Sequence, residues 1–145
     1  MSLLQLLLFI PLAALSNSLL PVPFEPVLLW FVAGSPLDGA WVFAIAGGLG
    51  AAIGEAASVR VLRSLRARLS RGKAPAWLTR GRLCFYLWAG LVACSPLPIT
   101  MVRAAAFWRQ PSPIWYGVSV GLGRIPRYLL LVAAWNGLAP RLGLL

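Results

Sequence analysis

The chain has 145 residues, one domain's worth, of which 60% are apolar and 11% charged, against about a quarter charged in a soluble domain. Thirteen Lys and Arg face three Asp and Glu, a net charge of +10 that alone would point to nucleic acid. A soluble chain this short cannot bury so much apolar surface. Composition therefore excludes a nucleic-acid binder and predicts an all-α integral membrane protein, with a mean hydropathy of +0.83.

The N-terminal stretch 1–18 has the short apolar core of a signal peptide but no Lys or Arg before it, and Pro11 interrupts the run, so it is expected to belong to the mature protein. A membrane span takes about 20 apolar residues, and two segments reach that length unbroken, about Gly39–Val59 and about Ile114–Leu138. The other apolar stretches are half-length. Leu3–Leu15 leads through Pro21, Pro23 and Pro26 to Val27–Gly34, and Leu83–Cys94 leads through Pro96 and Pro98 to Ile99–Trp108. A Pro-x-Pro sequence breaks a helix, because each ring removes a donor and disfavours helix in the residue before it. Half-helices around a broken centre predict re-entrant hairpins whose open backbone faces a polar cavity; two full spans with proline kinks are the alternative.

An offset of 75 lays Pro21 and Pro23 on Pro96 and Pro98, Pro36 on Pro111, Trp41 on Tyr116 and Gly48 on Gly123. A single membrane domain over 1–145 is thus expected to hold repeat one at about 3–59, a basic linker at 60–82 and repeat two at about 83–138. One hairpin plus one span per copy makes an odd number of crossings, so the second copy is inverted, a plan common among transporters. The linker carries eight of the thirteen positive charges and no acid, which places it in the cytoplasm. Val59, Leu62, Leu65 and Leu69 share one face there, as on an amphipathic helix lying on an anionic lipid surface.

Charge inside membrane helices is expensive, so it lines cavities or pairs. Glu25 falls in the first break and Glu55 late in the first span. Arg103 follows the second break by about one turn, and Arg124 and Arg127 share a face of the second span. Arginine forks and half-helix N-termini suit a phosphate, and a desolvated carboxylate can carry a proton. Structurally, the same groups could simply pair, Glu25 with Arg103 for example, or Glu55 with Arg60 or Arg63. Gly47, Gly50 and Gly54, with Ala51, make a small-residue face, and Gly117 and Gly121 make a second, both suited to close helix contact that leaves room for a homodimer.

No histidine is present, and the two thiols, Cys84 and Cys94, are about 15 Å apart along one predicted helix, too far for a disulfide. Both are expected to be buried and inert. Zinc needs more ligands than the chain can gather, and no nucleophile–base pair is visible. Neither a metal, a cofactor nor an enzymatic activity is expected.

The stretch Pro21–Glu25, the glycine-rich span Gly47–Gly54, the block Ser95–Arg103 and the run Gly121–Tyr128 together resemble the DedA/VTT superfamily, the SNARE-associated Golgi proteins. The resemblance covers nearly the whole chain and implies two facing re-entrant hairpins in a bacterial inner membrane. It implies a flippase or scramblase for undecaprenyl phosphate or phospholipid, with proton coupling in some members. Glu25 then matches the family's hairpin acid, Asp38 its second acid, and Arg103 a hairpin-two arginine. Family members often carry arginines close to both sides of the second break, where this chain has Ser95 and Met101. The expected function is movement of a phosphate-bearing lipid, its headgroup on Arg103, Arg124 and Arg127, with Glu25, Asp38 and Glu55 coupling or gating. A small ion or drug exchanger and a non-transporting membrane assembly protein are the alternatives.

Overall fold

The computed structural model describes residues 3–18, 23–33, 37–69, 81–95 and 97–138. Pro21, Pro96 and about half of the basic linker (70–80) lie outside them. Among the described residues all regular structure is helical: α1 Leu3–Ser16, α2 Glu25–Ala33, α3 Leu37–Leu69, α4 Arg82–Cys94, α5 Thr100–Arg109 and α6 Pro113–Leu138.

Two helices, α3 over Gly39–Arg68 and α6 over Pro113–Leu138, are long and apolar enough to cross a membrane. α6 starts on proline, whose fixed φ and missing donor suit the first helical position. α3 runs ten residues past its expected end at Val59. No Gly or Pro stops it between Ala56 and Leu69, and Arg and Leu are good helix formers. The first part of the basic linker is therefore a continuation of α3 rather than a separate surface helix. Pro11 does not interrupt α1, which continues through it. The other helices are half-length: at 1.5 Å per residue α1 and α4 reach about 20 Å, short of the roughly 30 Å hydrocarbon core.

Local hydrogen bonds end the first arms. Past α1, the Asn17 amide Nδ2 and backbone N–H both donate to the Ala13 carbonyl, at 2.7 and 3.0 Å, and the Ser18 hydroxyl donates to Leu15. Past α4, the Ser95 N–H donates to Leu91 and its hydroxyl to Val92. Orphan carbonyls at each break are thus met by Asn and Ser side chains, the residue types that compete best with the helix. Near its far end each second arm touches the first. Phe31 of α2 packs edge-on to Phe9 of α1 at 5.0 Å, and the Arg109 guanidinium at the end of α5 sits 4.8 Å over the Phe85 ring near the start of α4.

Glycine sets how closely the long helices approach. Gly48 and Gly121 meet where α3 crosses α6, Gly50 and Gly54 of α3 lie against the α1 backbone, and Gly123 of α6 lies against the Gly90 backbone of α4. Both small-residue faces are thus filled inside one chain, and neither remains for the dimer contact they had suggested. Two apolar clusters fill the interior, one around Phe9, Phe24 and Phe43, the other around Phe85, Val102 and Tyr116. Long apolar side chains cover the outside: Trp41, Ile45, Leu49 and Ile53 form an exposed stripe along α3, and Leu83, Leu87 and Leu91 another on α4. Cys84 is also exposed and Cys94 half-buried, contrary to the buried thiols expected. With neighbours so apolar, an outward position needs no polarity from the cysteine.

Candidate functional site

Both breaks open onto one cavity of about 390 Å³, walled by Ser16 and Asn17 at the end of α1, Pro23 and Glu25 at the start of α2, and Leu97, Pro98 and Thr100 leading into α5. Arg103, Arg124 and Arg127 project into it from α5 and α6. All three predicted arginines and Glu25 therefore share one site.

Glu25 lies one step from its expected place. It is the first residue of α2 rather than part of the break, because Pro26 is tolerated in a first turn, where its missing N–H costs nothing. A carboxylate there also sits at the positive end of the helix dipole. Its partner is Arg127, with Nη2 2.7 Å from Oε1, and not Arg103. Arg127 Nη1 also donates to the Ser95 carbonyl at 3.0 Å.

Arg103, on the fourth residue of α5, reaches instead to Glu55. Its Nη2 and Nε lie 2.6 and 3.2 Å from Oε1, and Nη2 donates to the Asn17 carbonyl at 2.7 Å. Glu55 is wholly buried, so it neither reaches the surface nor pairs with Arg60 or Arg63. α3 turns it inward, towards the face opposite its exposed leucine and isoleucine stripe. The two pairs share a design: each arginine joins a carboxylate to the carbonyl that ends a broken helix. Each pair also ties α2 or α5 to the long helix of the other half of the chain.

Arg124 is the exception. It is buried and forms no ion pair among the described residues. Its Nη1 donates to the Tyr128 hydroxyl one turn on, at 3.1 Å, while its Nε, buried, has no hydrogen-bond partner. Around the cavity three guanidinium groups thus face two carboxylates. Asp38 is the second residue of α3, and its side chain lies outside the described residues.

Asn17, Tyr116 and Tyr128 are not among the site residues expected from the sequence, yet all three are buried beside these charges. The Tyr116 hydroxyl faces Glu55 without a hydrogen bond of good geometry. The one available signal was spacing: Tyr128 stands four residues after Arg124, on the same helical face. No family model, curated protein or solved structure matches the chain.

Proposed function

We propose that this protein is an integral membrane lipid transporter, a flippase or scramblase that moves a phosphate-bearing lipid between leaflets. One observation carries the reading: a bundle with many large apolar side chains on its outside bounds an open cavity where both helix breaks meet Glu25 and three arginines, two of them paired with carboxylates. Lipid rather than water suits an exterior this apolar. The alternative of a non-transporting bundle leaves Arg124 with an unused buried donor.

In this reading α3 and α6 span the membrane, and α1–α2 and α4–α5 are re-entrant hairpins entering from opposite faces. The element starts support the inverted repeat: α2 begins at Glu25 and α5 at Thr100, 75 residues later, which is the offset of the prolines. The basic end of α3 lies in the cytoplasm by the positive-inside rule. This plan agrees with the DedA/VTT resemblance and with a bacterial inner membrane.

A lipid phosphate in the cavity has Arg124 as its uncommitted partner, because that guanidinium has no carboxylate to give up. Arg127, on its more exposed pair, then exchanges Glu25 for phosphate oxygens. A proton taken by Glu25 would release Arg127 and favour loading; its departure would restore the ion pair and expel the phosphate. The acyl or prenyl tail stays in the bilayer throughout, beside the apolar outer stripe. Glu55 and Arg103 hold the first break in place beneath the phosphate.

Reconstitution in vesicles tests this. The protein is expected to move fluorescent phospholipid, or a short polyprenyl phosphate, faster than empty vesicles do, and Arg124→Gln is expected to lower the rate at least tenfold, as loss of a charged hydrogen bond implies. Glu25→Gln is expected to remove any dependence on a pH gradient. Rates equal to empty vesicles for both lipids, at both pH settings, would sink the proposal.

A further inference from the structure

Arg124 offers the cavity one particular edge of its guanidinium. Only 7% of the residue is exposed, and it lines the wall between the two breaks. The Tyr128 hydroxyl takes Nη1, Nε is buried without a partner, and Nη2 makes no hydrogen bond among the described residues. Nε and Nη2 form one side of the planar group, the fork that meets two oxygens of a single anion side by side. Tyr128 thus fixes the guanidinium through Nη1 and leaves this fork for a ligand.

The charge that a ligand meets is equally defined. Glu55 balances Arg103 and Glu25 balances Arg127, so Arg124 is the one arginine of the cavity wall without a carboxylate among the described residues. The third acid of the chain, Asp38, is out of reach. Gly48 of α3 lies against Gly121 and Ile125 of α6, level with Arg124, and Asp38 comes ten residues before Gly48, about 15 Å along the axis. The parts of the two breaks outside the described residues, 19–22 and 96, carry no charge.

A phosphodiester has two non-bridging oxygens that share one charge. A phosphomonoester has three and carries about −1.5 to −2 near pH 7. The diester matches both the fork and the single charge of Arg124. The monoester needs a second guanidinium, and Arg127, on the more exposed of the two pairs, is held by Glu25 at 2.7 Å.

We propose that the cavity selects a phosphodiester headgroup, seated on the Nε–Nη2 fork of Arg124, and that ionised Glu25 sets this choice by keeping Arg127 neutralised. The inference rests on the lipid site proposed above, but its test needs no transport.

Native mass spectrometry of the detergent-purified chain, at about pH 8 where a monoester is mostly dianionic, compares two lipids with identical acyl chains. Phosphatidylmethanol is the diester and phosphatidic acid the monoester. A surface this basic binds both lipids, so the readout is how each variant changes the ratio of the two affinities. Arg124→Gln is expected to weaken phosphatidylmethanol about tenfold, as loss of a hydrogen bond to a charged group implies, and to change phosphatidic acid less. Glu25→Gln, an isosteric change, should move the ratio about tenfold towards phosphatidic acid, because the charge of Arg127 then becomes available. Glu25→Gln with Arg127→Gln leaves one uncompensated arginine again and should restore the wild-type ratio, which a merely structural effect at Glu25 would not do. Arg124→Lys keeps the charge but loses the fork; it should also weaken phosphatidylmethanol more than phosphatidic acid, and it keeps the test available if the Glu25 variants fail to fold. Equal weakening of both lipids by the Arg124 variants would overturn the proposal, as would a ratio that Glu25→Gln leaves unmoved. A chain that discriminates in this way but moves neither lipid in vesicles refutes the transport reading only; one that moves both lipids equally, with or without Glu25→Gln, refutes the present inference only.

Discussion

Arg103→Ala is expected to destabilise the protein by about 3–5 kcal/mol, the cost of leaving a buried charge without its partner. The wholly buried Glu55 carboxylate loses all three of its contacts from Nη2 and Nε, and the Asn17 carbonyl loses its donor in the same step. The first break then has nothing to hold it against α5. Replacing both members, Arg103→Met with Glu55→Met, should recover most of the stability, because two apolar side chains of similar volume leave no buried charge unpaired. Lipid movement should not recover with it, since the Asn17 carbonyl at the cavity wall remains unheld. Chemical or thermal unfolding in detergent, alongside vesicle transport, separates the two effects. A single variant as stable as the parent would show that the pair carries neither fold nor site.

Gly123→Ala is expected to cost about 1–3 kcal/mol from a single added methyl. An added Cβ there meets the Gly90 carbonyl and lies 2.8 and 3.0 Å from its C and Cα, which are backbone atoms with no rotamer to turn aside. α4 and α6 must separate, and the Ser95 carbonyl at the end of α4 moves off Arg127. Gly137→Ala supplies the comparison, since a Cβ at Gly137 meets nothing within 4 Å. There the better helix propensity of alanine should raise stability slightly. A pair of thermal midpoints that move together, rather than in opposite directions, would contradict the close α4–α6 crossing.

Proline and length made much of this architecture legible in the sequence. Pro21–Pro23 and Pro96–Pro98 mark the two breaks because a missing donor and a restricted φ act locally, wherever the chain later packs. The two long helices were visible for the same reason: their apolar length is a property of the segment alone. Partners were not. Glu25 and Arg127 are 102 residues apart, and Glu55 and Arg103 are 48 apart; which arginine takes which acid depends on how α5 and α6 rotate about their axes. Neither Asn17 nor Tyr116 is legible as a site residue, because a buried polar group is recognised only by what lies across from it. The extension of α3 through Arg68 was legible in principle, since nothing between Ala56 and Leu69 ends a helix, but its arginines drew attention to charge rather than to continuity.

The proposed transport requires lipid phosphate to pass through the cavity between the two breaks. In a background with Cys84 and Cys94 replaced by alanine, single cysteines at Leu97→Cys, on the cavity wall, and Leu130→Cys, on the exposed face of α6, can each carry a bulky maleimide. After reconstitution, complete labelling at position 97 is expected to stop lipid movement, while labelling at position 130 leaves it near the unlabelled rate. Unchanged movement with position 97 fully labelled would contradict the account, because the lipid would then be crossing by another route.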